Sequence, residues 1–261
     1  MKSTTPALLR STLAVAATLM SLGCGDDTKT EAERRTFSVS MTSLPPTAPN
    51  EHGWTVTPEA MQLSVGTVRF FEGRVLLSRA PRFHWYSLIG GTAHAHPGHY
   101  VPGDALGEVL KVQTVDLLAA GGVVLGDANA VTGSYGSLEL TLATPTAATD
   151  AQNVLGGHQV HVRGTASHTT GATVRFDATV DLPKAIEGVR FEREVKQEPG
   201  AVSIAVDLGK WLSRIDFATA SLPDAAGVST FPAESQAQNA LVRGVEDTSA
   251  YVVTWVEGAA Q

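Results

Sequence analysis

Residues 173–182 read Thr-Val-Arg-Phe-Asp-Ala-Thr-Val-Asp-Leu, so Val174, Phe176, Ala178, Val180 and Leu182 alternate with Thr173, Arg175, Asp177, Thr179 and Asp181. Successive side chains of a strand point to opposite faces, and this period of two predicts a half-buried β-strand. Residues 158–164 and the Thr169-Thr170-Gly171 break before it predict an antiparallel neighbour joined by a hairpin or a longer loop.

The same alternation recurs in both directions from this stretch. Phe37, Val39 and Met41 carry it near the start; Leu138, Leu140 and Leu142, and then Val202, Ile204, Val206 and Leu208, carry it further on. Between residues 61 and 70 the phase changes, from Met61, Leu63 and Val65 to Val68 and Phe70, and the slip falls at Gly66. A β-bulge there keeps both sets on one face. With residues 251–256 as a last strand, at least seven strands are expected.

Helical signals are few. Residues 232–243, with Pro232 in the first turn and Gly244 as the stop, predict one short helix, and residues 210–217 another turn. Many short alternating strands with 25 glycines and 13 prolines in 261 residues predict an all-β chain: one antiparallel β-sandwich-like domain over 36–258, with long loops and one or two short helices. A composition 43% hydrophobic and 17% charged excludes a disordered acidic tail, a collagen and a multi-span membrane protein.

The first residues have a separate logic. Lys2 and Arg10 precede the apolar-and-small run 13–23, too short to span a bilayer but suited to a secretory signal. The run ends at Cys24, the only cysteine. Ser21-Leu22-Gly23-Cys24 resembles the lipobox of bacterial lipoproteins, with Ser21 where leucine is usual; the resemblance implies a signal peptide over 1–23 and lipidation of Cys24. Residues 24–35 are charged and read as a flexible tether. The resemblance further implies anchoring in a bacterial cell envelope, at the periplasm or the cell surface, and Gly25 in place of an aspartate points to the outer membrane rather than the inner. Loss of Lys2 and Arg10 with the leader takes the formal charge from −7 to −9, a surface that repels nucleic acid.

The chemistry is concentrated in residues 90–100, Gly-Gly-Thr-Ala-His-Ala-His-Pro-Gly-His-Tyr. His94 and His96 share a face in extended chain, and Pro97-Gly98 can turn His99 back towards them. Three neutral imidazoles with no thiolate suit copper or zinc. Asp104, Glu108 and His84 are candidates for a further ligand, and an open position for water is the alternative. A solvated loop with incidental histidines is the plain reading of the same residues. His158 and His161 are expected to point apart, His158 inward and His161 outward with Arg163, and His168 to lie exposed in a turn. The four tryptophans, Trp54, Trp85, Trp211 and Trp255, read as core or interface anchors.

Several enzyme signatures fail. The cupin pattern is broken at Leu88, Tyr100 and Val101, and neither His-Glu-x-x-His, Gly-x-Ser-x-Gly, a strand-linked Gly-x-Gly-x-x-Gly nor a Walker lysine occurs. Residues 133–138 (Gly-Ser-Tyr-Gly-Ser-Leu) and 202–211 weakly resemble segments of the methanobactin-associated periplasmic copper proteins. The resemblance implies a β-rich secreted domain that handles copper, with Trp85 as a candidate beside the histidines. Three functions therefore compete: a non-catalytic metal carrier or sensor, with a metal-delivery or envelope protein as partner; an adhesion-type domain that binds a protein or glycan; and a metal enzyme with Asp104 or Glu108 as general base.

Overall fold

The computed structural model describes residues 32–73 and 102–258. It is an all-β domain. Strand β1 is Arg34–Leu44, so strand geometry begins two residues inside the expected tether. The long β2, Trp54–Phe71, follows, then β3 (Ala105–Val109), β4 (Gln113–Asp116), β5 (Val123–Val131) and β6 (Gly133–Leu142). The second half of the chain forms β7 (Val160–His168), β8 (Thr173–Val180), β9 (Ile186–Val195), β10 (Gly200–Asp207), β11 (Ser229–Thr230) and β12 (Tyr251–Glu257).

β2 organises the sheet. Its first half pairs with β7 and its second half with β6, while β4 and then β3 occupy the opposite edge. Met61, Leu63, Val65, Val68 and Phe70 are all buried, and the pairing with β6 skips a register between Val65 and Val68. The phase slip at Gly66 is thus a bulge that returns the apolar set to the core, as the alternation requires. A Cβ on Gly66 would lie 3.0 Å from the Thr141 carbonyl.

All twelve strands belong to one hydrogen-bonded network, so the expected layers are parts of a continuous sheet. It is mixed: β1 runs parallel to β10 and β8 to β11, and the other pairs are antiparallel. From β9 the order runs through β6, β2, β3, β5, β1 and β10 to β12. The sheet curls until its two ends are neighbours, where Arg193 of β9 meets Glu257 of β12 at 2.7 Å. Phe37, Phe70, Leu125, Leu138, Phe191 and Ile204 fill the interior, and removing their apolar surface from water favours the folded state.

Two helices close one side. α1 (Leu208–Leu212) is capped by Asp207, which accepts from the Lys210 backbone N–H. α2 (Gln236–Glu246) is capped by Ser235, which accepts from the Gln238 backbone N–H. This corrects the expected span: the helix begins after Pro232 and runs through Gly244. A Cβ at Gly244 would strike the Trp211 backbone, so glycine there lets α2 press against α1 and is not a stop signal. Among the described residues no helix is long and apolar enough to cross a membrane.

Candidate functional site

The histidine-bearing residues fall in the sequence between the end of β2 and the start of β3. His84, Trp85, His94, His96 and His99 lie outside the described residues, as does Cys24; the two points of exit are described. The Gly73 backbone N–H donates to the Pro102 carbonyl at 2.8 Å, and that of Glu72 to the Asp104 carbonyl at 3.0 Å. The Ser137 hydroxyl on β6 donates to the Gly73 carbonyl at 2.6 Å. Next to it, a Cβ on Gly136 would come within 2.5 Å of the Glu72 carbonyl, so only glycine lets β6 support this stem at such close range. Gly103 turns the returning chain at φ +66°.

The two carboxylate candidates stand differently towards the stem. Asp104 is exposed at its base. Glu108 is four residues on, about 13 Å of extended chain away, on the outer face. There it pairs with Arg69 at 3.7 Å, and Arg69 also reaches Glu139 at 3.8 Å. Glu108 could join a metal near the stem only by leaving this arginine. Among the described residues no three His, Cys, Asp or Glu side chains form a metal-binding group.

Beneath the stem lies an aromatic cluster. Phe37 meets Phe70 and Trp255 edge-on, each at 5.4 Å, and Tyr135 at 6.2 Å. Tyr135 is buried and donates to the Val131 carbonyl at 2.6 Å, with the Leu106 carbonyl also in reach at 3.1 Å. Burial pushes its phenol up to about 12, against an ordinary value of 10.0. The chain enters β1 at this same end: Glu33 and Thr132 exchange hydrogen bonds, and the Arg35 guanidinium donates to the Gln197 and Glu198 carbonyls. The point of entry and the histidine stem therefore share one end of the domain.

His158, His161 and His168 each make hydrogen bonds within the fold. His161 does face outward from β7, but residues before it fold over the ring: Nδ1 donates to the Val154 carbonyl at 2.7 Å, and Nε2 lies 2.9 Å from Asp177 Oδ1. Val154 is held in turn by Asp150, whose carboxylate accepts the Val154 and Leu155 backbone N–H groups at 2.9 Å. On the same face of β2, the Gln62 Oε1 and Ser64 Oγ atoms are buried without a hydrogen-bond partner. His158 does not turn inward as its parity suggests; it precedes the strand and meets Asp181 at 2.7 Å. Nor is His168 free in a turn. Its Nδ1 accepts the Thr170 backbone N–H, its Nε2 donates to the His52 carbonyl at 2.9 Å, and its ring packs 4.8 Å from Trp54. Trp54 and Trp211 are buried core anchors and Trp255 is half-buried.

No protein-family model, no curated protein and no solved structure matches the chain.

Proposed function

We propose that the chain is a lipid-anchored cell-envelope protein that binds copper or zinc through His94, His96 and His99, as a carrier or sensor and not as a catalyst. The observation that carries this reading is the stem. Gly73 and Pro102 are held together by a hydrogen bond of 2.8 Å on a buried β scaffold, so the histidine-bearing residues start and end at one rigid point. Binding groups displayed from a rigid sheet are the usual arrangement for a functional segment. Asp104 at the base adds an exposed hard carboxylate.

Neutral imidazoles bind the metal, so acid must release it: protonation near the reference pKa of about 6.5 takes away the lone pairs. Competition titrations of copper and zinc against a chelator at about pH 7.5 and about pH 5 test this. A large loss of affinity at the lower pH is expected, and equal affinity at both would remove the histidines from the site.

A further inference from the structure

A second set of charged side chains lies at the far end of β1 from the histidine stem, where Leu44 pairs with Asp207 ahead of α1. Asn50 clamps the chain between β1 and β2 onto the end of α1. Its amide nitrogen donates to the Leu212 and Ile215 carbonyls at 3.0 and 2.8 Å, and its amide oxygen accepts the His52 and Trp54 backbone N–H groups at 3.0 Å. Gln236 ties the same stretch to α2: its oxygen accepts the Asp216 backbone N–H at 2.8 Å, and its nitrogen donates to the Arg214 carbonyl at 2.6 Å. Three segments are thus fixed against one another. Between them opens a cleft of about 410 Å³ lined by Glu51, His52, Arg214, Asn239 and Arg243.

The amides of this frame are spent on the backbone, but the charged ends are not. Among the described residues Arg243 forms no ion pair or hydrogen bond. It stands in the last turn of α2, where the helix dipole favours a cation without a carboxylate beside it. Arg214 has only Glu51, at 3.7 Å, and the two side chains are 65% and 63% exposed, a pairing worth little in water. The His52 ring also makes no hydrogen bond among the described residues; its residue is held through the backbone N–H and carbonyl. The chain as a whole carries 26 acidic against 19 basic residues, so a cleft with two arginines and one glutamate runs against the rest of the surface.

We infer that this cleft binds a phosphate group, free or on a small soluble ester, with Arg214 and Arg243 as its clamp and His52 as a further donor. A planar guanidinium presents paired N–H donors that match phosphate oxygens. A tetrahedral dianion has the oxygens and the charge to engage both arginines at once, which a singly charged carboxylate lacks. Glu51 gives up Arg214 as the anion enters. An extended polyanion such as a nucleic acid or an anionic membrane is a poorer fit, because it also meets the net negative charge of the rest of the chain. No residue of the proposed metal site takes part.

Inorganic phosphate is titrated calorimetrically into the purified full-length protein, with a chelator present so that no bound metal contributes. Saturable binding with a dissociation constant of about 1 mM or lower is expected. Arg243→Gln should bind at least tenfold more weakly and Glu51→Gln more tightly, since Arg214 is then released; thermal melting checks that each variant is folded. Arg34→Gln, altered at an exposed position at the other end of β1, should bind as the parent does, and acetate should bind at least tenfold more weakly than phosphate. Absence of saturation below about 10 mM phosphate, equal affinity of the Arg243 variant, weaker binding by Glu51→Gln, an equal loss in Arg34→Gln, acetate bound as tightly, or binding of phosphatidylglycerol vesicles without binding of phosphate would each overturn the assignment.

Discussion

The backbone N–H of Gly73 donates to the carbonyl of Pro102 at 2.8 Å, so the chain just after β2 is joined to the chain just before β3. Gly136 holds that closure against β6, because a Cβ there would lie 2.5 Å from the Glu72 carbonyl and 2.6 Å from that of Gly73. Gly136→Ala is expected to cost about 1–3 kcal/mol in a denaturant titration, the range for overpacking a buried site. Metal affinity should fall with it, since the stem is displaced.

Asp104 and Glu108 should separate under mutation. Asp104 lies exposed at the stem, and Glu108 is engaged by Arg69 at 3.7 Å. Asp104→Asn should weaken metal binding, while Glu108→Gln leaves it unchanged and shifts stability by no more than about 0.5 kcal/mol, as for partly exposed ion pairs. Calorimetric metal titration of both variants measures the difference.

Tyr135 makes the alkaline limit of the fold readable. Burial favours its neutral phenol, and its folded value of about 12 stands above the ordinary 10.0. The stability this gives is fully present below about pH 10 and is lost as the pH rises from 10 to 12. Phenolate absorbance followed with pH should show two late-titrating groups, Tyr135 and the fully buried Tyr251, which burial pushes up further still, and the earlier of the two should disappear in Tyr135→Phe.

His161 pins the residues that cover the outer face of β7, through the Val154 carbonyl at 2.7 Å and Asp177 at 2.9 Å. His161→Ala leaves both partners unmatched and should cost about 1–3 kcal/mol. Proteolysis between residues 146 and 157 should quicken at the same time. Metal binding should not change, because this histidine lies outside the proposed site.

Much of the fold was legible because strand burial imprints a period of two on the residues. Residues 173–180, Phe37 to Met41 and the slip at Gly66 all read as they fold, while Asp181 and Leu182 lie beyond the end of β8. Long-range order left no such imprint. Nothing local in β1 marks it as the parallel partner of β10, which pairs Val39 with Val202, and nothing in β2 marks its double role. Gly244 resembled a helix stop because glycine serves both as a terminator and as a close-contact residue, and only the position of Trp211 tells them apart. For the candidate site, the spacing of His94, His96 and His99 is local chemistry and was visible. The stem beneath it joins β2, β3 and β6 and was not.

Metal content decides whether His94, His96 and His99 hold copper or zinc. The purified full-length protein, loaded with copper or zinc, desalted and measured by elemental analysis, is compared with a His94→Ala, His96→Ala, His99→Ala variant treated in the same way. About one metal ion per chain is expected in the parent protein, the stoichiometry of a single site, and none in the variant. A parent protein that retains no metal, or a variant that retains as much, would contradict it.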